Sequence, residues 1–348
     1  MHKQIPLIIT TILLFIVFSL TPNPAAASGE ISVQGTTILR DGQPWIAKGI
    51  SIVGRTAPAA ATKPGDYAQA RAQFSAQELE KVKELFGADL IRFQVSQGGA
   101  NPQSSIYSTD YLKEVQSAVK MARDMGFTVI VCVDGERSGG LDERGMPNEK
   151  TLLAWKSLAP LFANDRGVMF ELFNEPQPDG PDATPHDWDH WKAGMQPLVD
   201  EIRSLGAKNV LLADGLYWAQ MLNSAPKLDD PLSEVVYAIH PYFAPKRLAD
   251  EAAWFDMFGR FAIRHAVLAS EWSALSFGSN CNDNTPNFAA GMLNYLKQQK
   301  IGVVGWAFDF PRTLLTENGT LTNYNGFHCG PKSDFGPGEL IAQYFKEK

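Results

Sequence analysis

Eight short apolar or β-branched runs, each followed by a stretch with apolar residues at helical spacing, constrain this chain more than any other feature. The runs are WIAKGISIV (45–53), ADLIRFQVS (88–96), FTVIVCVD (127–134), GVMFELFNE (167–175), NVLLADG (209–215), VVYAIHPYF (235–243), HAVLASEWS (265–273) and IGVVGWAFDF (301–310). Between them lie helical stretches such as SAQELEKVKELFG, with Ser75 as cap and Glu78 in the capping-box position, TDYLKEVQSAVKMARDMG, NEKTLLAWKSLAPLFA and HWKAGMQPLVDEIRSLG. Several runs are almost continuously hydrophobic, the mark of a parallel sheet covered on both faces. Eight such units without a break close as an α/β (β/α)8 TIM barrel. An open doubly wound sheet is the alternative, but it would open with a Gly-rich phosphate turn, and no G-x-G-x-x-G follows the first run. Ahead of the first run, ISVQGTTILRDGQPW contains the hairpin signal Asp41-Gly42 and is expected to close the barrel floor. Neither an internal repeat nor a low-complexity linker interrupts the pattern.

The first residues, MHKQIPLIITTILLFIVFSLTPNPAAAS, place Lys3 before an apolar stretch and end on small residues, which reads as a secretory signal cleaved after Ala27. The alternative, an uncleaved anchor, would need the apolar run to be extended to span a bilayer. The expected domains are therefore 1–27, removed, and 28–348, a single catalytic domain that is secreted or periplasmic, off the membrane and monomeric. Without Lys3 the chain has 30 basic and 38 acidic residues, with no basic run. A nucleic-acid partner would require the opposite balance. Of three cysteines, Cys281 and Cys329 fall in Asn/Gly/Pro-rich stretches and are expected to pair in an oxidising compartment, whereas Cys132, inside VIVCV, reads as a small buried hydrophobe.

The C-terminal ends of barrel strands form the rim that carries chemistry. Those ends supply Arg92, Asp134, Asn174, Glu175, His240, Tyr242, Glu271, Trp272, Trp306 and Asp309. Glu175 closes the fourth run and Glu271 the seventh, so the two carboxylates face each other across the mouth. An unpaired carboxylate is costly to desolvate at the end of an apolar strand, so its presence asks for a use. Opposed carboxylates suit glycosidic cleavage, in which one group donates a proton to the leaving oxygen and the other attacks or activates water. Trp218, just after the Asp214-Gly215 turn, is a candidate sugar platform. His186 and His190 have a spacing compatible with a metal, but they lack the Glu of H-E-x-x-H and read as a polar helix start.

The segments IRFQ, ELFNEP, IHPYF, ASEW and GVVGW, in this order on these strands, resemble glycoside hydrolase family 5, the cellulase and mannanase family of the clan of retaining (β/α)8 glycosidases. The resemblance spans the expected mature chain. It implies double displacement on a β-linked polysaccharide or oligosaccharide, with neither metal nor organic cofactor. By motif, Glu175 resembles the general acid/base and Glu271 the nucleophile. Asn174 resembles the residue bonding the sugar 2-hydroxyl, and Arg92 the arginine that keeps the nucleophile ionised. His240 and Tyr242 resemble the pair that orients the carboxylates, and Trp306 resembles the platform under a sugar ring. At one place the chain departs from the family: Asp134 stands where many members end the third strand in histidine. The expected activity is that of a secreted endo-β-1,4-glucanase. The alternatives are a β-mannanase, an exo-acting or transglycosylating relative closed by loops at 54–74 and 276–287, and, more remotely, a non-catalytic carbohydrate-binding barrel.

Overall fold

The computed structural model describes residues 29–135, 143–177, 185–242, 247–273, 285–311, 313–323 and 336–347. The expected signal segment and both Cys281 and Cys329 lie outside these residues. Strands β1 (Ile31–Gln34), β2 (Thr37–Arg40) and β3 (Gln43–Pro44) form a small antiparallel sheet. Eight further strands are β4 (Lys48–Ile52), β5 (Leu90–Ser96), β6 (Thr128–Asp134), β7 (Val168–Glu171), β8 (Leu211–Asp214), β9 (Val235–Ile239), β10 (Val267–Trp272) and β11 (Gly302–Gly305). They close into a parallel barrel in the order β10-β11-β4-β5-β6-β7-β8-β9, with β9 also pairing β10. This is the expected (β/α)8 architecture. Among the described residues, no helix is long and apolar enough to cross a membrane.

Local chemistry explains the helices that sheathe the barrel. Ser75 accepts from the Glu78 N–H at the start of Ala76–Phe86, and Gly87 ends that helix in the left-handed region at φ 63°. Asn148 and Thr151 form a reciprocal capping box for Glu149–Phe162. The 54–74 segment, read from sequence as a loop, instead contains a 3-10 turn and the helix Asp66–Gln73. Its weak amphipathic pattern hid it, because only Ala70 of that helix is buried.

The core has two layers separated by the sheet. Outward-facing residues such as Ile91, Phe93, Val131, Phe170 and Ile239 pack under the helices. Inward-facing residues, including Leu90, Ile130, Met169, Leu212, Ala238, Leu268 and Val304, fill the barrel and meet Ile31, Ile38 and Ala47. The N-terminal sheet thus plugs the floor as expected, although it has three strands and not a single hairpin. Asp41 and Gly42, at φ 51° and 73°, make its second turn, and Gly35 makes its first. Gly49 belongs to the interior layer, where a Cβ would come 2.6 Å from Leu90 Cδ2.

Candidate active site

Two residues beyond the apolar interior layer, strand alternation points a second layer into the barrel. The steps run from Leu90 to Arg92, Ile130 to Cys132, Met169 to Glu171, Leu212 to Asp214, Ala238 to His240 and Leu268 to Ser270. Arg92 organises this layer and is itself fully buried. Its Nε donates to Glu171 Oε2 at 2.6 Å and its Nη1 to Glu271 Oε1 at 2.5 Å. Its Nη2 reaches Asn174 Oδ1 at 2.8 Å, Glu171 Oε1 at 3.1 Å and Cys132 Sγ at 3.1 Å. Ser270 Oγ donates to Glu171 Oε1 at 2.9 Å, which leaves its lone pairs facing His240 Nε2 at 3.0 Å.

Glu271 follows Ser270 directly, and strict alternation would turn one of them away. Both face the site because β10 slips against β11: Ala269 aligns with Val303, but Trp272 aligns with Gly305, leaving one extra residue on β10. Tyr242 Oη then donates to Glu271 Oε2 at 3.0 Å.

On the opposite wall, β7 stops at Glu171, four residues short of the predicted run. The chain beyond it is held by Trp155 Nε1 on the Leu172 carbonyl at 2.8 Å and by Asn174 N on the Val133 carbonyl at 2.8 Å. Glu175 adopts φ 52°, a left-handed conformation unusual for a residue with a side chain. This bend carries its Oε1 to 3.0 Å from His240 Nδ1. One oxygen each of Glu175 and Glu271 and a ring nitrogen of His240 lie within 4.8 Å of one another. The Glu175 side chain is 26% exposed and the Glu271 side chain 5%.

Burial and charge act against each other throughout. Burial alone would raise Glu171, yet Arg92 and the nearby His240, its Nε2 3.6 Å from Oε1, outweigh it and hold this carboxyl well below its ordinary range. Burial would likewise strip His240 of its proton, but Glu271 above all, with Glu171 and Glu175, raises its pKa well above the ordinary value. For Glu271 the outcome differs from the sequence expectation of a carboxylate held low by Arg92. Burial wins and raises it, with His240 and Arg92 opposing and Glu175 and Glu171 adding to the rise. Burial and the charges of Glu175 and Glu271 push Asp134 up to about 7.

Other predicted residues fall around this centre. Asn174 is oriented by Arg92, and its Nδ2 lies 3.4 Å from Asp134 Oδ1 at the end of β6. Trp306 lines the mouth with Tyr242 but is only 4% exposed and packs at a 40° tilt against Phe310, ring centroids 5.1 Å apart, so little of its face is open. Trp218 is 42% exposed, with the Arg247 guanidinium 6.0 Å from its ring. Asp309 takes the backbone N–H groups of Val53 and Gly54, each at 2.8 Å, and thereby ties the exits of β4 and β11 together. His186 and His190 join none of the metal-compatible clusters among the described residues. The clusters that do qualify, Glu171/Asp214/His240 and Glu175/His240/Glu271, share His240. Several of their carboxylate oxygens are already bonded to Arg92, Ser270 or Tyr242.

Sequence reading missed Glu171, Asp214, Ser270 and Tyr67. The first three were detectable as the position two residues past an interior apolar one. Tyr67 comes from the unforeseen helix and packs edge-on to Phe310 at 5.2 Å, beside Trp306. Burial and the charges of Asp134 and Glu271 raise its hydroxyl pKa, so it faces the same mouth. The assembled groups can divide a reaction between them. A carboxylate held by a cation and a phenol can act as a nucleophile, and a more exposed one can move a proton.

The family model for cellulase, glycosyl hydrolase family 5, matches residues 56–310. The chain belongs to glycosyl hydrolase family 5. As a family 5 member it is a glycoside hydrolase. Among curated relatives, the β-mannanase/endoglucanase A of Caldicellulosiruptor saccharolyticus is 23% identical over 204 residues, covering 56% of this chain and 14% of that protein. The manganese-dependent endoglucanase Eg5A of Phanerodontia chrysosporium is 27% identical over 172 residues, covering 45% of this chain and 43% of that protein. In both cases the match spans less than half of the relative's own length. The β-glucanase SdGluc5_26A of Saccharophagus degradans, also solved in complex with cellotetraose, superposes in its native form with a TM-score of 0.69 at 19% identity, covering 93% of this chain and 97% of that one. The catalytic domain of Thermobifida fusca endoglucanase Cel5A gives a TM-score of 0.66 at 19% identity, covering 92% and 98%. These superpositions bear out the barrel for this family 5 chain.

Proposed function

We propose that this family 5 hydrolase is an exported, retaining, endo-acting β-1,4-glycanase with glucan as substrate, Glu175 as its acid/base and Glu271 as its nucleophile. One observation carries the reading: oxygens of Glu175 and Glu271 lie within 4.8 Å of each other across His240. Retention calls for carboxyl groups roughly 5–5.5 Å apart, inversion for roughly 6.5–9.5 Å to admit a water. Glu271 attacks the anomeric carbon as Glu175 gives its proton to the glycosidic oxygen, forming a glycosyl ester and releasing the leaving-group sugar. Water then attacks that ester, Glu175 takes a proton from it, and Glu271 departs as carboxylate. Two inversions at one carbon leave its configuration unchanged. Arg92 compensates the charge on Glu271 and Tyr242 hydrogen-bonds it whenever the ester is absent, and Asn174 is set to bond the sugar 2-hydroxyl.

The acid/base flanks the leaving group, so the surface beyond Glu175, where Trp218 stands exposed after β8, is assigned to sugars on that side. Trp306, Tyr67 and Asp134 border the sugar that becomes attached. The endoglucanase names of the relatives and the cellotetraose complex of the Saccharophagus enzyme support glucan, and the Caldicellulosiruptor name keeps mannan as a second substrate to be compared. The test is digestion of β-glucan, mannan and xylan, with products identified by size and by anomeric configuration at early times. Long intermediate oligosaccharides with retained β configuration are expected from glucan. Inverted first products would exclude the assigned roles, release of only terminal sugars would indicate exo action, and absence of cleavage would leave a binding barrel.

A further inference from the structure

Asp214, at the end of β8, touches the proposed acid/base through the backbone alone. Its Oδ2 accepts the Glu175 N–H at 2.9 Å, the bond that secures the left-handed residue. A side-chain-bearing residue in that conformation is disfavoured and persists only where its surroundings hold it. Asp214 is itself rigidly placed. Trp191 Nε1 donates to its carbonyl at 2.8 Å, and the next N–H, of Gly215, bonds the Ala238 carbonyl at 3.1 Å. The same turn also sets His240, whose N–H bonds the Ala219 carbonyl at 2.8 Å. Both partners in the Glu175–His240 contact are therefore anchored from the end of β8.

The carboxyl of Asp214 is fully buried, and one of its oxygens lies within 4.8 Å of an oxygen of Glu171. Two carboxyl groups this close inside a sealed barrel do not both ionise. Glu171 has donors from Arg92 and Ser270, whereas Asp214 Oδ1 finds no donor among the described residues. The other groups facing Asp214 are His240, with Nε2 at 3.5 Å from Oδ2, and the more distant Arg92 and Cys132. The proton of the pair therefore stays on Asp214, consistent with a carboxyl raised well above its ordinary range by burial and by Glu171.

We propose that Asp214 is a positioning residue for the acid/base: its carboxyl takes the Glu175 N–H, so that Glu175 is held against His240. The assignment rests on the acid/base role proposed for Glu175. Asparagine keeps the acceptor, its carbonyl taking the Glu175 N–H, while alanine provides none. Asp214→Asn should keep kcat/KM on cello-oligosaccharides within about threefold of the parent, with an unchanged pH profile. Asp214→Ala, shown to be folded by circular dichroism, should lose roughly 100-fold on cello-oligosaccharides, as expected for a displaced reacting group. It should change kcat/KM little on dinitrophenyl β-cellobioside, whose leaving group needs no proton. A purely structural defect would depress both substrates alike. Equal losses on both substrates, or an Asp214→Asn variant as impaired as Asp214→Ala, would overturn the proposal. A second readout is independent of activity: the Glu175 amide should resist hydrogen exchange in the parent and in Asp214→Asn, and exchange faster in Asp214→Ala. If the parent cleaves neither substrate, the glycanase reading fails, and the exchange result still decides the clamp. Unchanged exchange in Asp214→Ala would remove it.

Discussion

The Nε of Arg92 lies 2.6 Å from Glu171 Oε2, and neither side chain reaches solvent. A guanidinium enclosed in a barrel needs its anions, because an uncompensated buried charge costs far more than the pair contributes. Glu171→Gln should therefore destabilise the fold by about 3–5 kcal/mol, read as a lower urea midpoint. The native pair also has a defined acid range. A carboxyl held below its ordinary pKa contributes stability that is complete above the unfolded value and fades as pH falls through the folded one. Acid unfolding of Glu171→Gln should lack that steep, strongly acidic step. A midpoint shift under about 1 kcal/mol would mean that Glu271 alone compensates Arg92.

Asp134 predicts the opposite sign. Its carboxyl is raised from 3.8 to about 7 in the fold, so between those values the folded chain holds a proton that the unfolded chain has released. Stability from this group falls as pH rises through that window and is level above it. Asp134→Asn removes the effect. Its melting temperature relative to the parent should therefore climb from pH 4 to pH 7 and then stay constant. A difference independent of pH would show that Asp134 titrates as it does in the unfolded chain.

Tyr242 donates to the oxygen of Glu271 that Arg92 does not hold. Removing that donor disfavours the ionised carboxylate, which burial already penalises. Tyr242→Phe should move the acidic limb of kcat/KM to higher pH and reduce its plateau by roughly 10- to 100-fold, the worth of a hydrogen bond to a charged group. A limb that stays in place would dissociate Tyr242 from the ionisation of Glu271.

The barrel was legible because period and length are local properties: eight apolar runs of strand length, separated by capped amphipathic stretches, leave few alternatives. The rim was legible because Glu175 and Glu271 end their runs. The layer beneath was not. Glu171 and Asp214 sit inside those same runs, and a run buried on both faces conceals which face each residue takes until the register is known. The bulge that brings Glu271 beside Ser270 has no local signal, since it is defined by how β10 meets β11. Trp306 resembles a sugar platform by motif, but its burial, 4% exposed in a cluster with Val53, Ala70, Phe310, Tyr67 and Tyr242, depends on neighbours brought together by the fold. The rise of Glu271 was equally hidden, because a sequence names the arginine beside a carboxylate but not the degree of burial that opposes it.

Glu175 and Glu271 stand on opposite sides of the anomeric carbon in the proposed reaction, and an external anion can distinguish them. Replacing Glu175 with alanine leaves Glu271 free to form the glycosyl ester from an activated substrate such as dinitrophenyl β-cellobioside. Breakdown of the ester then slows for want of a base. Azide entering the vacated, partly exposed position attacks from the β face and should give β-cellobiosyl azide. Replacing Glu271 with alanine removes the ester instead, and azide lodged in that cavity attacks from the α face to give α-cellobiosyl azide. The Glu271 side chain is 5% exposed against 26% for Glu175, so rescue of Glu271→Ala should need the higher azide concentration. Both products are read by the anomeric proton coupling. The same azide anomer from the two variants, or near-parental turnover by either one without azide, would show that the two carboxylates do not divide the reaction as proposed.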